Sequence, residues 1–373
     1  MDRISRRSFV LGLGAGAAAL ATRGSIVGPW PALAASPALE MGIVGSIWVA
    51  EEEGNSLALI DAATNRLVTR LTGLEGPHNI QVAPDGRTVW AVSGHDSLAA
   101  VVDTATYRLR GIVPTGKSPA HVIVTPDGKM AYVTNGAEDS VTVIDTDTLR
   151  TVATIPVGPY PHGLRPSPDG RWVYVANARG RTITVIDAAA KSHAGEFEVG
   201  DRPVQVGVSS DGRFMYASIS GENRLVKVDV ASRSVVGSAE VGTGPIQVFL
   251  TPDDRTVLVA NQGRPEEPGT TLSVVDTATM TVVSTVPTGN GAHGVVVDPS
   301  GRAAYVTNIY GDDLAVVNLA EGAVVAKVPV GAAPNGVSFS PLPPSVPPAT
   351  EIILDLPRHE EEQDHDEMPG MQH

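Results

Sequence analysis

The chain has 373 residues, 18% of them charged and only 4% aromatic, with a formal net charge of −14 and a sequence pI near 5.0. An acidic surface lacks the basic footprint that phosphate backbones and anionic lipid surfaces demand, so nucleic acid is not an expected partner and membrane-surface binding is disfavoured. There is no cysteine, which removes disulfides, thiol chemistry and a lipid-modified cysteine anchor together.

At the N-terminus, Ser5-Arg6-Arg7-Ser8-Phe9-Val10 precedes an apolar run over residues 11–21, with no acidic residue between Ile4 and Leu39. This pattern predicts a twin-arginine export signal over residues 1–34, with Ala32-Leu33-Ala34 as the small-residue cleavage site. The competing reading is a short buried helix after a chance arginine pair. The run is too short to span a bilayer, so no stable membrane insertion is expected after cleavage. The expected destination is the periplasm or the extracellular medium, and removing the segment's net +3 leaves −17. The early GLGAGA belongs to this signal and is not a phosphate cradle.

Residues 35–340 are a repeat. β-Branched runs end at Asp61, Asp103, Asp145, Asp187, Asp229, Asp276 and Asn318, spaced by 42 residues except for one interval of 47. Two further series keep the same register: Trp48, Trp90, Tyr132, Tyr174, Tyr216, Leu258 and Tyr305, and then Pro77, Pro119, Pro161, Pro203, Pro245, Ala292 and Pro334. Each unit reads as four short strands. In one, residues 163–167 form the first, Pro168-Asp169-Gly170-Arg171 a tight turn, WVYVAN the second and TITVID the third. Four strands per unit of about 42 residues predict an all-β fold, a seven-bladed β-propeller of four-stranded blades. The first unit starts at its second strand (residues 43–50) and the last ends on a lone first strand (residues 335–340), so the two termini are expected to close the ring in one shared blade.

The second-strand motif appears as Tyr132-Val133-Thr134-Asn135 and Tyr305-Val306-Thr307-Asn308, with looser copies at 174–177 and 258–261. On this motif the chain resembles the YVTN-type propeller family across residues 43–340. The resemblance implies the fold. That family includes surface-layer-like proteins, exported proteins of unassigned role and lactonase-like relatives, so activity must be argued from a site.

Residues present in every unit are most simply structural. The Asp/Asn series is expected to accept turn N–H groups, and the Trp/Tyr series to pack blade on blade. Chemistry is expected where units differ. Strand direction places the lead-ins to the first strands and the loops after the second strands on one face, at the mouth of the central channel. Four of the six propeller histidines fall in the two positions after the Pro/Ala series: His78, His121, His162 and His293. Imidazoles gathered there suit a metal, with Cu or Zn as the candidate cofactors. The bland alternative is that Pro-His-Gly simply starts the strand, the imidazole bonding a loop carbonyl. His121 is displaced by one position, which in a regular strand would turn it to the other side. Gln205, Gln247 and Asn335 occupy equivalent positions and are candidate ligand-binding residues, as is Arg165, read as an outlier on the same face. The insertion at 263–269 is expected to overhang that mouth, and His95, Asp96, Glu138 and Asp139 are read as solvated loop residues. No nucleophile elbow, Walker loop, dinucleotide fingerprint or HExxH pair is present.

Residues 341–357 hold a proline-rich linker and, over 351–356, a candidate extra outer strand. Residues 358–373 carry six acids with His359, His365, His373, Met368 and Met371, a composition that reads as a disordered tail or, alternatively, as a copper-collecting segment. The leading expectation is an exported, monomeric propeller that binds a small molecule or a protein at the histidine face. A metal-dependent hydrolase or lyase acting on a lactone is the first alternative, and a copper redox protein the second.

Overall fold

The computed structural model describes residues 41–347 and 349–356; the export signal expected over 1–34 and the tail expected over 358–373 lie outside the described residues. The β-branched runs form seven sheets, six of four antiparallel strands and one of five. The blade containing His162 is typical, with strands Pro161–Pro166, Trp172–Asn177, Thr182–Asp187 and Ser192–Glu198 in order from the channel outward. Among the described residues the only helical turn is Gly136–Glu138. We number the blades 1 to 7 along the chain by their second strands.

Blade 1 closes the ring. Its innermost strand, Pro334–Ser340, comes from the far end of the chain and pairs antiparallel with Ser46–Glu51. Residues Glu351–Ile353 add a fifth strand, parallel to the outer strand Arg66–Thr72. Between these, the linker is held to the molecule by Tyr107, whose hydroxyl donates to the Ser345 carbonyl at 2.6 Å.

The core lies between blades. Trp48, Trp90, Tyr132, Tyr174, Tyr216 and Tyr305 are each 2% exposed or less, and sit among Val, Ile and Ala side chains from the adjoining sheets. Truncating one such ring to alanine should cost about 3–5 kcal/mol, since the flat faces of two sheets cannot collapse into the space. Burial also pushes the Tyr132 hydroxyl up to about 12. The recurring acids do what turns require: Asp145 accepts the Thr148 N–H and hydroxyl, both at 2.8 Å, and these bonds hold its carboxyl below the ordinary value. Asp103, Asp229, Asp276 and Asn318 make the equivalent bonds. The Pro-Asp-Gly turn needs a positive φ, supplied by Gly86, Gly128, Gly170, Gly212 and Gly301 at 69–74°.

The loop after each second strand and the lead-in to each first strand share one face. A repeated backbone bond fixes this: Glu52, Gly94, Gly136, Ala178, Ser220, Gln262 and Ile309 donate their N–H groups to Ala333, Gly76, Ser118, Tyr160, Arg202, Gly244 and Gly291 respectively. The insertion on this face is an extension of the blade 6 hairpin, with Gly263 opposite Pro268 and Arg264 opposite Glu267. It leans toward blade 7, where Gln262 donates to the Tyr310 hydroxyl at 2.9 Å.

Candidate metal centre

Every innermost strand slips register near its start. In blade 4, Pro161 pairs with Asn177 and Leu164 with Val175, so His162 and Gly163 together face Ala176. In blade 3, Ala120 and His121 likewise face Thr134. These are β-bulges, repeated in all seven blades. A bulge suspends the alternation of side chains, so the second residue after the proline can reach the same space as the first. That corrects the expectation that His121, offset by one position, would turn away.

His78, His121 and His162 converge, each offering a ring nitrogen within 4.8 Å of the others. The His121 and His162 ring centroids are 4.7 Å apart, and His78 lies 5.5 Å from His162 and 6.0 Å from His121. The Nε2 atoms of His78 and His162 face each other at 3.4 Å. Metal–nitrogen bonds of about 2.0–2.1 Å at a tetrahedral angle set two ligand nitrogens about 3.3–3.4 Å apart, so this pair already has the edge length of a coordination tetrahedron. His293 stands beside the trio, 6.4 Å from His78 between centroids. It is 4% exposed, and neither of its ring nitrogens has a hydrogen-bond partner among the described residues; the Nε2 of His121 is in the same position.

The rings are aimed by their surroundings. His162 Nδ1 lies 3.3 Å from the Val204 carbonyl, which can only accept, so this nitrogen carries the proton and Nε2 the lone pair. Glu52 places Oε1 3.3 Å from His78 Nδ1, while Asn335 Nδ2 donates to Glu52 Oε2 at 2.7 Å and lies 2.9 Å from the same His78 nitrogen. Carboxylate–histidine contact of this kind steadies a ring and raises its basicity toward a metal. Gln205 approaches His121 Nδ1 through Nε2 at 3.4 Å, and its Oε1 accepts the Val206 N–H. Thr134 joins two of the histidine segments: its hydroxyl accepts the His121 N–H at 3.0 Å and donates to the His162 carbonyl at 2.7 Å. Gly163 is needed where it is, because a Cβ there would collide with Gln205 Oε1 and the Val204 carbonyl.

The electrostatics favour neutral rings at His121, His162 and His293 beside one fixed anion. Burial, then the neighbouring His78 and His293, push His162 down to about 3; burial and His78 do the same to His293. Burial, reinforced by His162, holds His121 well below the usual imidazole value. Burial alone would raise Glu52, but its contacts with His78 and Asn335 and the proximity of His293 outweigh that and bring it to about 2. Neutral imidazoles with a nearby carboxylate suit a divalent cation. The side chains of His78 and Glu52 are 21% and 35% exposed, which leaves the cluster reachable from the mouth.

Of the other sequence candidates, Asn335 and Gln205 belong to this centre. Gln247 is buried at the matching place in blade 6 and bonds none of the histidines. Arg165 is corrected: it lies three residues beyond His162, about 10 Å further along an extended strand, and lines a cavity with the turn residues Pro126, Pro168 and Pro252 near the opposite mouth. Glu52 was not singled out from sequence. Its signal is that the corresponding positions hold Gly94, Gly136, Ala178, Ser220, Gln262 and Ile309, so it is the one carboxylate in that series.

Residues 87–267 match the family described as YNCE-like beta-propeller. The chain is a seven-bladed β-propeller, and that stretch of it is similar to the YNCE-like kind. Among solved structures, a functionally unknown protein from Desulfotomaculum acetoxidans aligns over 81% of this propeller and all of its own chain, at 17% identity and a TM-score of 0.71. A provisionally assigned 6-phosphogluconolactonase from Bacteroides fragilis aligns over 79% and 97%, at 18% identity and 0.68. Kuenenia stuttgartiensis hydrazine synthase aligns over 73% and 91%, at 24% identity and 0.64. These likenesses establish the fold alone. No curated protein matches the chain at a significant level.

Proposed function

We propose that this propeller is an exported metal-binding module that holds one Zn or Cu ion on His78, His121 and His162 at its channel mouth and presents that ion to a small molecule. The observation that carries the reading is the 3.4 Å Nε2–Nε2 edge between His78 and His162, closed by the buried imidazole of His121. Three protein nitrogens leave a coordination position for an incoming ligand. The test is metal analysis and calorimetry with Zn(II) and Cu(II) on full-length protein carrying His359→Gln, His365→Gln and His373→Gln, so that tail histidines contribute nothing. One ion per chain, lost in His78→Ala/His162→Ala, supports the reading; no stoichiometric ion refutes it. Secretion of a reporter by residues 1–34, abolished by Arg6→Lys/Arg7→Lys, tests the export assignment.

A second reading, metal-assisted hydrolysis, is favoured by His293, whose unpartnered ring nitrogens stand beside the trio. There the ion would polarise a carbonyl and His293 would contact the substrate or a water. The provisional lactonase assignment of the Bacteroides fragilis relative makes glucono-δ-lactone the first substrate to try. Zn-dependent turnover lost in His293→Ala, with metal still bound, would support it. A Cu(II) absorption band that bleaches reversibly on reduction would favour redox chemistry instead.

A further inference from the structure

The cavity toward the other end of the channel holds a cation with no ion-pair partner among the described residues. Arg165 is half-buried, and among the described residues no carboxylate lies within ion-pairing distance of its guanidinium. Its one hydrogen bond is from Nη1 to the carbonyl of Leu164, its own neighbour, at 3.1 Å. Burial brings the guanidinium down to about 10, with no opposing charge acting on it. The surrounding cavity has a volume of about 340 Å³, within the range of small-ligand sites. Its walls include Val248, Phe249, the turn prolines Pro126 and Pro168, and Asp254, whose carboxylate is taken up by the Ser210 N–H and hydroxyl. The cavity spans four consecutive blades, so it is part of the central channel. In the six other blades the place of Arg165 is taken by Gln81, Ile123, Gly207, Phe249, Val296 and Ser338, none of them charged. Gly207, in the next blade, has no side chain to fill the space beside the guanidinium, and a Cβ there would press on Leu250.

A cation in an apolar wall is costly to keep unless something pairs with it. One planar guanidinium matches one carboxylate bidentately, whereas a heavily hydrated phosphate would need more donors than this site has. We propose that the cavity around Arg165 is a second ligand site, which takes a small monocarboxylate with an apolar body, carboxylate on the guanidinium and body against Phe249 and Val248. It is a separate cavity from the histidine cluster, although the Arg165 charge is near enough to bear on His121.

The test is calorimetry on full-length protein stripped with chelator, using benzoate, its neutral counterpart benzamide, and inorganic phosphate as probes. Benzoate is expected to bind once per chain, with benzamide and phosphate at least about tenfold weaker. Arg165→Gln should weaken benzoate roughly ten- to a hundredfold, the value of charge-assisted hydrogen bonds. Phe249→Ala should weaken benzoate without strengthening phosphate. Arg165→Leu should melt at the same or a higher temperature in the absence of benzoate, because an unpaired, half-buried charge has been removed. Equal affinity for benzoate and benzamide, preference for phosphate, no benzoate binding at millimolar concentration, or a lower melting temperature for Arg165→Leu with no change in benzoate affinity would each overturn the proposal.

Discussion

His78 and His162 are 84 residues apart and belong to blades 2 and 4, yet their Nε2 atoms approach to 3.4 Å across the channel mouth. In one tautomer this contact is an N–H···N hydrogen bond; in the other the two lone pairs face each other and, on the proposed reading, share a cation. Alanine at either position should therefore lower Zn(II) affinity by two orders of magnitude or more, read by competition with a chromophoric chelator. Glu52→Gln keeps the shape but removes the charge behind His78 and should cost about ten- to a hundredfold in affinity, with stoichiometry unchanged.

Stability should fall with acid, starting well above the carboxylate range. His293 is held at about 3 in the folded chain, against an ordinary imidazole value near 6.5. Between these values the unfolded chain binds more protons, so the contribution is complete above about pH 6.5 and is lost as pH drops toward 3. For the 4%-exposed His293 the loss at pH 5 is about 2 kcal/mol. Urea denaturation of metal-free protein at pH 7.5, 6 and 5 should show this slope, and His293→Gln should flatten it. Glu52, lowered from 4.5 to about 2, adds a further loss only below pH 4.5.

Thr134 and Ser218 hold the same place in blades 3 and 5, and each hydroxyl donates to a carbonyl of the following blade, at 2.7 Å to His162 and 2.6 Å to Ile246. Thr134→Val and Ser218→Ala should each cost about 1–3 kcal/mol by stranding that carbonyl and one N–H. Thr134→Val should weaken metal binding more than Ser218→Ala, because Thr134 holds two histidine segments directly whereas Ser218 reaches the centre only through the Gln205 N–H. Equal loss of metal affinity in both variants would mean that general loosening of the ring, and not the local tether, is responsible.

Gly163→Ala should be disproportionately harmful for one methyl group. The new Cβ meets the Val204 carbonyl, which orients His162, and Gln205, which approaches His121. Loss of metal affinity with a melting-temperature drop of several degrees is expected, whereas Gly128→Ala, on an open turn with nothing within 4 Å, should leave metal binding intact.

The propeller was legible because its information is periodic: the 42-residue spacing of Asp61 through Asn318, the Trp/Tyr column and the broken first and last units all state blade number and closure. The histidine face was legible for the same reason, since strand direction alone places His78, His162 and His293 together. What periodicity could not convey was local geometry. His121 reaches the cluster only because a bulge breaks the alternation that a sequence pattern assumes. Arg165 sits at the other mouth because three residues of extended chain cross much of the channel. Glu52 went unnoticed because acids are ordinary in loops, and its meaning depends on Asn335 arriving from the opposite end of the chain.

That meeting of the two ends has a further consequence. Asn335, which anchors Glu52 behind His78, lies on the strand that seals the ring, so a product truncated before residue 334 loses the anchor together with the seal. On the proposed reading, occupancy of the site would report that the sealing strand is in place, so the ion would certify closure of the toroid.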